Sequence, residues 1–516
     1  MLAARNIWDL IVRRADETPD REMAVDESGR RMTFGDYRRR CERAAAGLAW
    51  LGVGDGTVVS WVQPTTLEAM VLFGALRRLG AVQNPILPIY RDREVGFIAR
   101  QAGSAVVVTP STWRGFDYQA MADRVVAGTG GRVVVSDRSL PEGDPATLPP
   151  PPDDDMTTET GDVPVRYLYY TSGTTAEPKG ARHGDRSLRA ASVGMSERLG
   201  LADDDRFAFV FPVTHIAGGV YIYAALAYGL TFVLDEAFDP STTIDLLRRE
   251  DITQAGAGTF FHQTYLAAQQ ALPAGERLFP RVRTFPGGGA PKPPSLHHAL
   301  KEAFGVGVVS GYGMTEAPIL TMNHRDAPDE VLATTEGPAV AGTSLRIVTV
   351  EGKVAGAGEE GEVRAKGPQV TLGYVDPALD ADAFDDEGWF RTGDLGTLDA
   401  EGNLTITGRL KDVIIRKGEN ISAKEVEDLL FTHPGVADVA VIGLPDAESG
   451  ERACAVVVPA PDAEPIIFDE MTRHLLDAGL ITRKLPEQLE IVDALPRNPS
   501  GKIVKFELQE RFSPAG

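Results

Sequence analysis

Nineteen consecutive residues, IAGGVYIYAALAYGLTFVL from Ile216 to Leu234, carry no charge. A stretch of this length either crosses a bilayer or is enclosed by protein on every side. Gly218, Gly219 and Gly229 interrupt it, and Asp235 and Glu236 follow it where Lys or Arg would flank a membrane span. The segment is therefore expected to form a buried helix ending near Gly229 and then a buried strand, with peripheral membrane contact left open. Hiding both elements requires a large core, and 516 residues are enough for roughly three or four packing units.

Hydrophobic residues make up 43% of the chain and charged residues 24%, an ordinary balance for a soluble globular protein. The N-terminal MLAARNIWDLIVRRADETPD lacks an apolar core with a small-residue cleavage site, so no signal peptide is expected. The two cysteines, Cys41 and Cys454, lie far apart and have no CxxC spacing, which points to a reducing cytoplasm and away from a zinc site. With 52 basic against 74 acidic residues, the formal charge of -22 repels nucleic acid and anionic lipid as main partners.

Strand and helix signals alternate through the first part. T-x-x-D from Thr33 to Asp36 is a capping-box variant before a helical apolar repeat up to Gly52. TVVSWV (57–62) and AVVVT (105–109) read as strands around a helix from Thr66 to Leu79, an α/β pattern with parallel sheets. PPPPDDD (149–155) reads as a surface loop that consecutive prolines and like charges keep from packing. After about residue 336, SLRIVTV, GEVRAKG, GWFRTGD and NLTITGR read as short strands of a small β-barrel or sandwich, with a distorted barrel as the expected form. A further change follows GRLKD (408–412): Ser422 to Glu425 is a capping box, VADVAVIG and RACAVVVPA are strands, and a helix lies around 467–479. The expected architecture is an N-terminal domain over 1–410, with two α/β lobes and the barrel over about 336–408. A small mobile α+β lid over 411–516 completes it.

Five motifs invite chemical readings. YTSGTTAEPKG gathers Thr171, Ser172, Thr174, Thr175 and Lys179 around Gly173 but lacks Walker spacing. It is either a Gly-Thr-rich surface loop or an anion nest in which backbone N–H groups, hydroxyls and one ammonium hold phosphate. GYGMTE (Gly311, Tyr312, Gly313, Met314, Thr315, Glu316) is either a turn and helix cap or a carboxylate for phosphate-bound Mg2+, with Tyr312 against a flat base. In GWFRTGDLG, Asp394 makes either an Asx turn or hydrogen bonds to a ribose diol. GRLKDVIIRKGENIS alone reads as a basic linker. In LPRNPSGKIVK, Pro496, Pro499 and Gly501 hold Lys502 on a rigid loop.

Taken together, in this order, the five motifs resemble the adenylate-forming superfamily of acyl-CoA synthetases, carrier-loading adenylation domains and beetle luciferases. The resemblance covers essentially the whole chain. It implies that the first loop grips the β- and γ-phosphates of ATP while a carboxylic acid attacks the α-phosphate. Ala176 departs from the glycine usual there. By the same resemblance Lys502 bridges the acyl carboxylate and α-phosphate, and Glu316 holds Mg2+. Asp394 holds the ribose and Arg409 supports ribose and phosphates. Tyr312 and the backbone of Gly288, Gly289, Ala290 and Pro291 line the adenine pocket. Thr174 and His215 join Lys502 and Glu316 as implied catalytic residues. Lys411 is the implied hinge on which the lid rotates to bring Gly418 and Glu419 to CoA for thioester formation.

FPVTHIAGG (211–219) has no acidic residue where amino-acid-activating relatives carry one, which argues against an α-amino acid. His215, Gly218, Gly219, Phe260, Phe261 and Gly287 are read as an apolar acyl pocket. QNPILPIYRDREVGFIARQ (83–101) is similar to bacterial medium-chain and cyclohexanecarboxylate CoA ligases, which favours a medium-chain or alicyclic acid. The expected activity is that of an AMP-forming acid–thiol ligase using ATP, CoA and Mg2+. An acyl-AMP ligase loading a stand-alone carrier protein, a luciferase-like oxygenase and a nucleotide-binding relative without turnover are the alternatives. A homodimer is left open.

Overall fold

A computed structural model describes residues 1–158, 163–171, 177–289, 292–416, 419–446, 449–460, 463–497 and 502–513, without the side chains of residues 419 and 420. The uncharged segment folds as its sequence requires. Ile216–Tyr228 is a helix ended by Gly229 at φ 84°, and Thr231–Leu234 is a fully buried strand. Among the described residues, no helix is long and apolar enough to cross a membrane.

That strand lies between Arg206–Phe209 and Glu22–Asp26, parallel to both, with Arg31–Thr33 antiparallel at the edge. A second sheet has six strands in the order Lys179–His183, Tyr167–Thr171, Val82–Pro85, Val58–Trp61, Val106–Thr109 and Arg132–Val135, parallel except for the first pair. Gln254 bridges both Phe207 and Thr284, which links the first sheet to Phe285–Gly287, Val308–Met314 and Ala317–Met322.

The helix Leu67–Leu79 contacts strands of both large sheets and is buried at every position. A helix enclosed on all sides should be apolar all round. This one also carries Glu68, which pairs with Arg30 and Arg40, and Arg77, which pairs with Asp154 and Asp185. The 149–155 tract therefore departs from the expectation of an unpacked surface loop. Arg77 and Arg166 neutralise Asp154, and this draws the acidic end of the tract inward.

The four strands after residue 336 are Ser344–Val348, Gly361–Lys366, Phe390–Leu398 and Leu404–Arg409. They form an antiparallel meander in chain order. Its first and last strands do not pair with each other, so the meander by itself is open and the expected barrel is not confirmed. The apolar face is covered instead by Tyr312, Ala317 and Leu320 from the preceding hairpin.

Beyond Val413 a separate sheet forms from Val413–Arg416, Glu419–Ser422, Gly450–Pro459, Val436–Asp446 and Gln488–Ile491. The helices Ala423–Leu430 and Phe468–Asp477 contribute to one apolar core against it, and Lys505–Phe512 to another. Ser422 caps the first of these helices through the Glu425 N–H and also donates to the Thr407 carbonyl, which fastens the unit to the meander.

The Arg77–Asp185 pair gives a direct test of the core. Arg77 is 0% and Asp185 3% exposed, and the Asp185 carboxylate also accepts from Tyr167 and from the Ile7 N–H. Removing Asp185 leaves Arg77 with Asp154 alone and takes the acceptor from the Tyr167 hydroxyl and the Ile7 N–H, at a cost of about 1–3 kcal/mol. Asp185→Ala is expected to lower the urea midpoint by a corresponding amount, and an unchanged midpoint would contradict the assignment.

Candidate active site

The strand Tyr167–Thr171 turns back as Lys179–His183, with Thr171 opposite Lys179. The tip of this hairpin, including Ser172, Gly173, Thr174, Thr175 and Ala176, lies outside the described residues, as do Ala290, Pro291 and Gly418. Beside the hairpin, Leu372–Val375 extends the edge strand. Arg182 N–H donates to the Gly373 carbonyl, Val375 N–H donates to the Gly180 carbonyl, and Ala181 faces Tyr374. Because strand side chains alternate faces, Lys179 and Ala181 share the face that meets Tyr374. The Lys179 ammonium lies 5.6 Å from the Tyr374 ring centroid.

Tyr374 also donates its hydroxyl to Glu316 Oε1 at 2.8 Å, and the Glu316 carbonyl accepts from the Thr371 N–H. A second clamp comes from His183. Its Nε2–H donates to the Thr315 carbonyl at 2.9 Å, and Nδ1 lies 3.0 Å from Ser187 Oγ. Burial pushes the His183 pKa down to about 4, so the ring is neutral and keeps this pattern at neutral pH. Thus the Lys179 strand and the Glu316 segment are joined at two points.

Tyr312 connects Glu316's motif to the meander. Its ring is only 9% exposed, and its hydroxyl donates to Asp394 Oδ2 at 2.6 Å. Arg409, directly opposite Asp394 in the adjoining strand, places Nε 2.7 Å from Oδ1. Asp394 is 4% exposed, so both partners offset the burial of its charge. A carboxylate offers about four acceptor positions, so two single bonds leave capacity for ligand hydroxyls.

Lys502 reaches this cluster from the C-terminal unit. A side-chain carbon built on Gly289 would lie 3.6 Å from Lys502 Cε, and Gly289 itself sits at φ 76°, a conformation that favours glycine. Gly288 approaches the Gly311 carbonyl so closely that an added Cβ would lie 3.1 Å from its oxygen. Burial first, and then the Arg409 guanidinium, lower the Lys502 pKa, while Asp394 and Glu316 raise it. His215 caps the uncharged helix, with Nδ1 accepting from the Ala217 N–H at 3.2 Å. Its pKa is pushed down to about 4 by enclosure and then by the Lys502 charge.

The proposed acyl wall is only partly assembled. Phe260 is half-buried and lies 5.9 Å from the Arg497 guanidinium, which also pairs with Asp438. Phe261 is buried in a core with Phe238 and Tyr265. Gly218 and Gly219 are likewise explained by packing. Added Cβ atoms would meet the Val213 carbonyl at 2.0 Å and the Tyr169 hydroxyl at 2.7 Å. Gly287 faces Val308 and His262. Lys411 lies exposed in the short turn Leu410–Asp412 between the meander and the C-terminal sheet.

His183 and Tyr374 are the residues that sequence reading missed. Neither lies in the five-motif constellation as a chemical group, and their partners are 132 and 58 residues away. Only the strand pairing at the hairpin edge makes their roles visible.

The Lys179 strand and Glu316 meet at Tyr374, and Lys502 of the C-terminal unit interacts with Glu316 and with the buried Asp394. The chain belongs to the AMP-binding enzyme family: the family model matches residues 11–375, and that of the AMP-binding enzyme C-terminal domain matches residues 425–502. It is 30% identical to the medium-chain fatty-acid–CoA ligase of Escherichia coli, over 95% of this chain and 88% of the relative. It is 33% identical to the feruloyl-CoA synthase of an Amycolatopsis species, covering 97% and 98%. The ATP-bound crystal structure of MatB from Rhodopseudomonas palustris superposes with a TM-score of 0.86 at 28% identity, covering 98% of this chain and 99% of that one.

The neutral His183 carries a pH signature. Between its ordinary value of 6.5 and about 4 the unfolded chain binds the proton and the folded chain does not. Stability attributable to His183 is therefore complete above 6.5 and is lost as pH falls toward 4. Thermal midpoints measured across this window should fall less steeply in His183→Gln than in the parent chain. Parallel curves would contradict the buried neutral ring.

Proposed function

We propose that the protein is an AMP-forming acid–CoA ligase that activates an apolar carboxylic acid with ATP and then transfers the acyl group to CoA. The observation that carries this reading is the convergence of Lys502, Arg409, Asp394 and Glu316 at one place, drawn from two units. The similarity to two CoA-ligating enzymes over nearly the whole chain supports the reaction class.

The first half-reaction brings two anions together, so it needs fixed positive charge and preorganised donors. Lys502 is assigned to the acyl carboxylate and α-phosphate. Lys179, with the hydroxyls and backbone of 171–175, is assigned to the β- and γ-phosphates. Asp394 receives the ribose hydroxyls while Tyr312 and Arg409 hold it. The backbone of 288–291, together with Tyr312, takes the adenine. His215 is neutral, so it adds no charge to that of Lys502 and can orient the acid. The carboxylate attacks the α-phosphate, an acyl–AMP anhydride forms and pyrophosphate leaves.

Glu316 fits Mg2+. Among the described residues no group of three acidic, histidine or cysteine side chains surrounds it, and Mg2+ typically takes one or two carboxylates, waters and phosphate oxygens. When bound, the ion neutralises phosphate charge.

In the second half-reaction the thiol of CoA attacks the acyl carbonyl and AMP leaves. Lys411 is assigned as the hinge about which the C-terminal unit turns, withdrawing Lys502 and presenting Gly418 and Glu419. For the acid we favour a medium-chain or alicyclic chain, on the absence of an acidic residue in 211–219 and the aromatic edge of Phe260. Ferulate-like aryl acids are the second reading, because a relative of that name is equally well covered.

Lys502→Ala separates the two chemistries. Adenylation, read as pyrophosphate release, should drop by about 100-fold or more, the scale of removing one transition-state donor. Thioester formation from preformed acyl-AMP should be far less affected. Equal loss in both half-reactions would contradict the lid assignment.

A further inference from the structure

We propose that Tyr374 is a positioning residue that holds Glu316 and Lys179 apart at the phosphate end of the site. The inference rests on the ATP-binding reading above and deepens it. One aromatic side chain touches both charges: its hydroxyl donates to Glu316 Oε1 at 2.8 Å, and its ring receives the Lys179 ammonium at 5.6 Å.

An acidic and a basic group facing the same small space attract strongly where water is thinned out. Left to themselves they close on each other, and each is then lost to a ligand. Tyr374 gives each a separate partner, the cation its ring quadrupole and the anion its edge hydroxyl. The backbone fixes this arrangement. Tyr374 is bridged to Ala181 on the Lys179 strand, and the neighbouring Thr371 N–H donates to the Glu316 carbonyl. Tyr374 N–H is in turn held by Asp380 Oδ1 at 2.8 Å.

The two halves of the role separate by substitution. Tyr374→Phe keeps the ring and removes the hydroxyl, whereas Tyr374→Leu removes both. The experiment is isothermal titration of ATP into each full-length protein without acid, once with a chelator and once with Mg2+, paired with the Mg2+ dependence of KM for ATP in pyrophosphate release.

The expected result is that Tyr374→Phe binds metal-free ATP as the parent does but loses about tenfold of the gain that Mg2+ brings, the scale of a hydrogen bond to a charged group. Its KM for ATP should rise more than kcat falls. Tyr374→Leu should in addition weaken metal-free ATP binding. A Tyr374→Phe protein with the parent's Mg2+ gain overturns the proposal, as do Phe and Leu variants that lose both affinities alike, the mark of general disturbance. If the parent itself binds no ATP, the functional reading falls and takes this proposal with it. Parent binding with an unchanged Phe variant overturns the proposal alone.

Discussion

The buried carboxylate of Asp394 is the constraint around which the cleft is organised. A carboxylate this enclosed is tolerable only with partners, and its two come from different parts of the chain: Tyr312 from the preceding hairpin and Arg409 from the last strand of the meander. Tyr312 leads directly into the motif that bears Glu316. Arg409 leads directly into the turn where the C-terminal unit begins. One ion pair and one short hydrogen bond therefore tie the motif strand, the meander and the start of the lid into a common frame.

The phosphate side is framed differently. There the joints are hydrogen bonds from uncharged groups, the His183 ring to the Thr315 carbonyl and the Tyr374 hydroxyl to Glu316. Neither joint brings a charged donor to Glu316 or its segment. Of the two lysines, Lys179 stands on the hairpin and Lys502 belongs to the C-terminal unit.

Much of this was legible in the sequence, for reasons that vary by element. The 216–234 stretch had to be an enclosed helix and strand, because nothing in it could face water at length. Thr33 and Asp36 form the reciprocal capping box that their spacing suggests. The motif residues Lys502, Asp394, Arg409 and Glu316 were recognisable as a set, and the structure brings them together. What failed depended on contacts between distant segments. Four strands with alternating patterns do not reveal whether their edges meet, so the open edges of the meander were not legible. The acidic tract at 149–155 gave no sign of the two arginines that draw Asp154 inward. Phe261, Gly218 and Gly219 also serve core packing, a use that becomes visible only with their neighbours Phe238, Val213 and Tyr169. His183 and Tyr374 act through partners that no local pattern encodes.

The central claim is that one cleft joins a carboxylic acid to AMP and then to CoA. Its most direct test is mass spectrometry of products after incubation with ATP, Mg2+ and a panel of medium-chain, alicyclic and aryl acids, with and without CoA. The account predicts pyrophosphate, AMP and an acyl-CoA thioester whose formation requires CoA. Acyl-AMP that accumulates without any thioester, or no turnover with any acid in the panel, would contradict it.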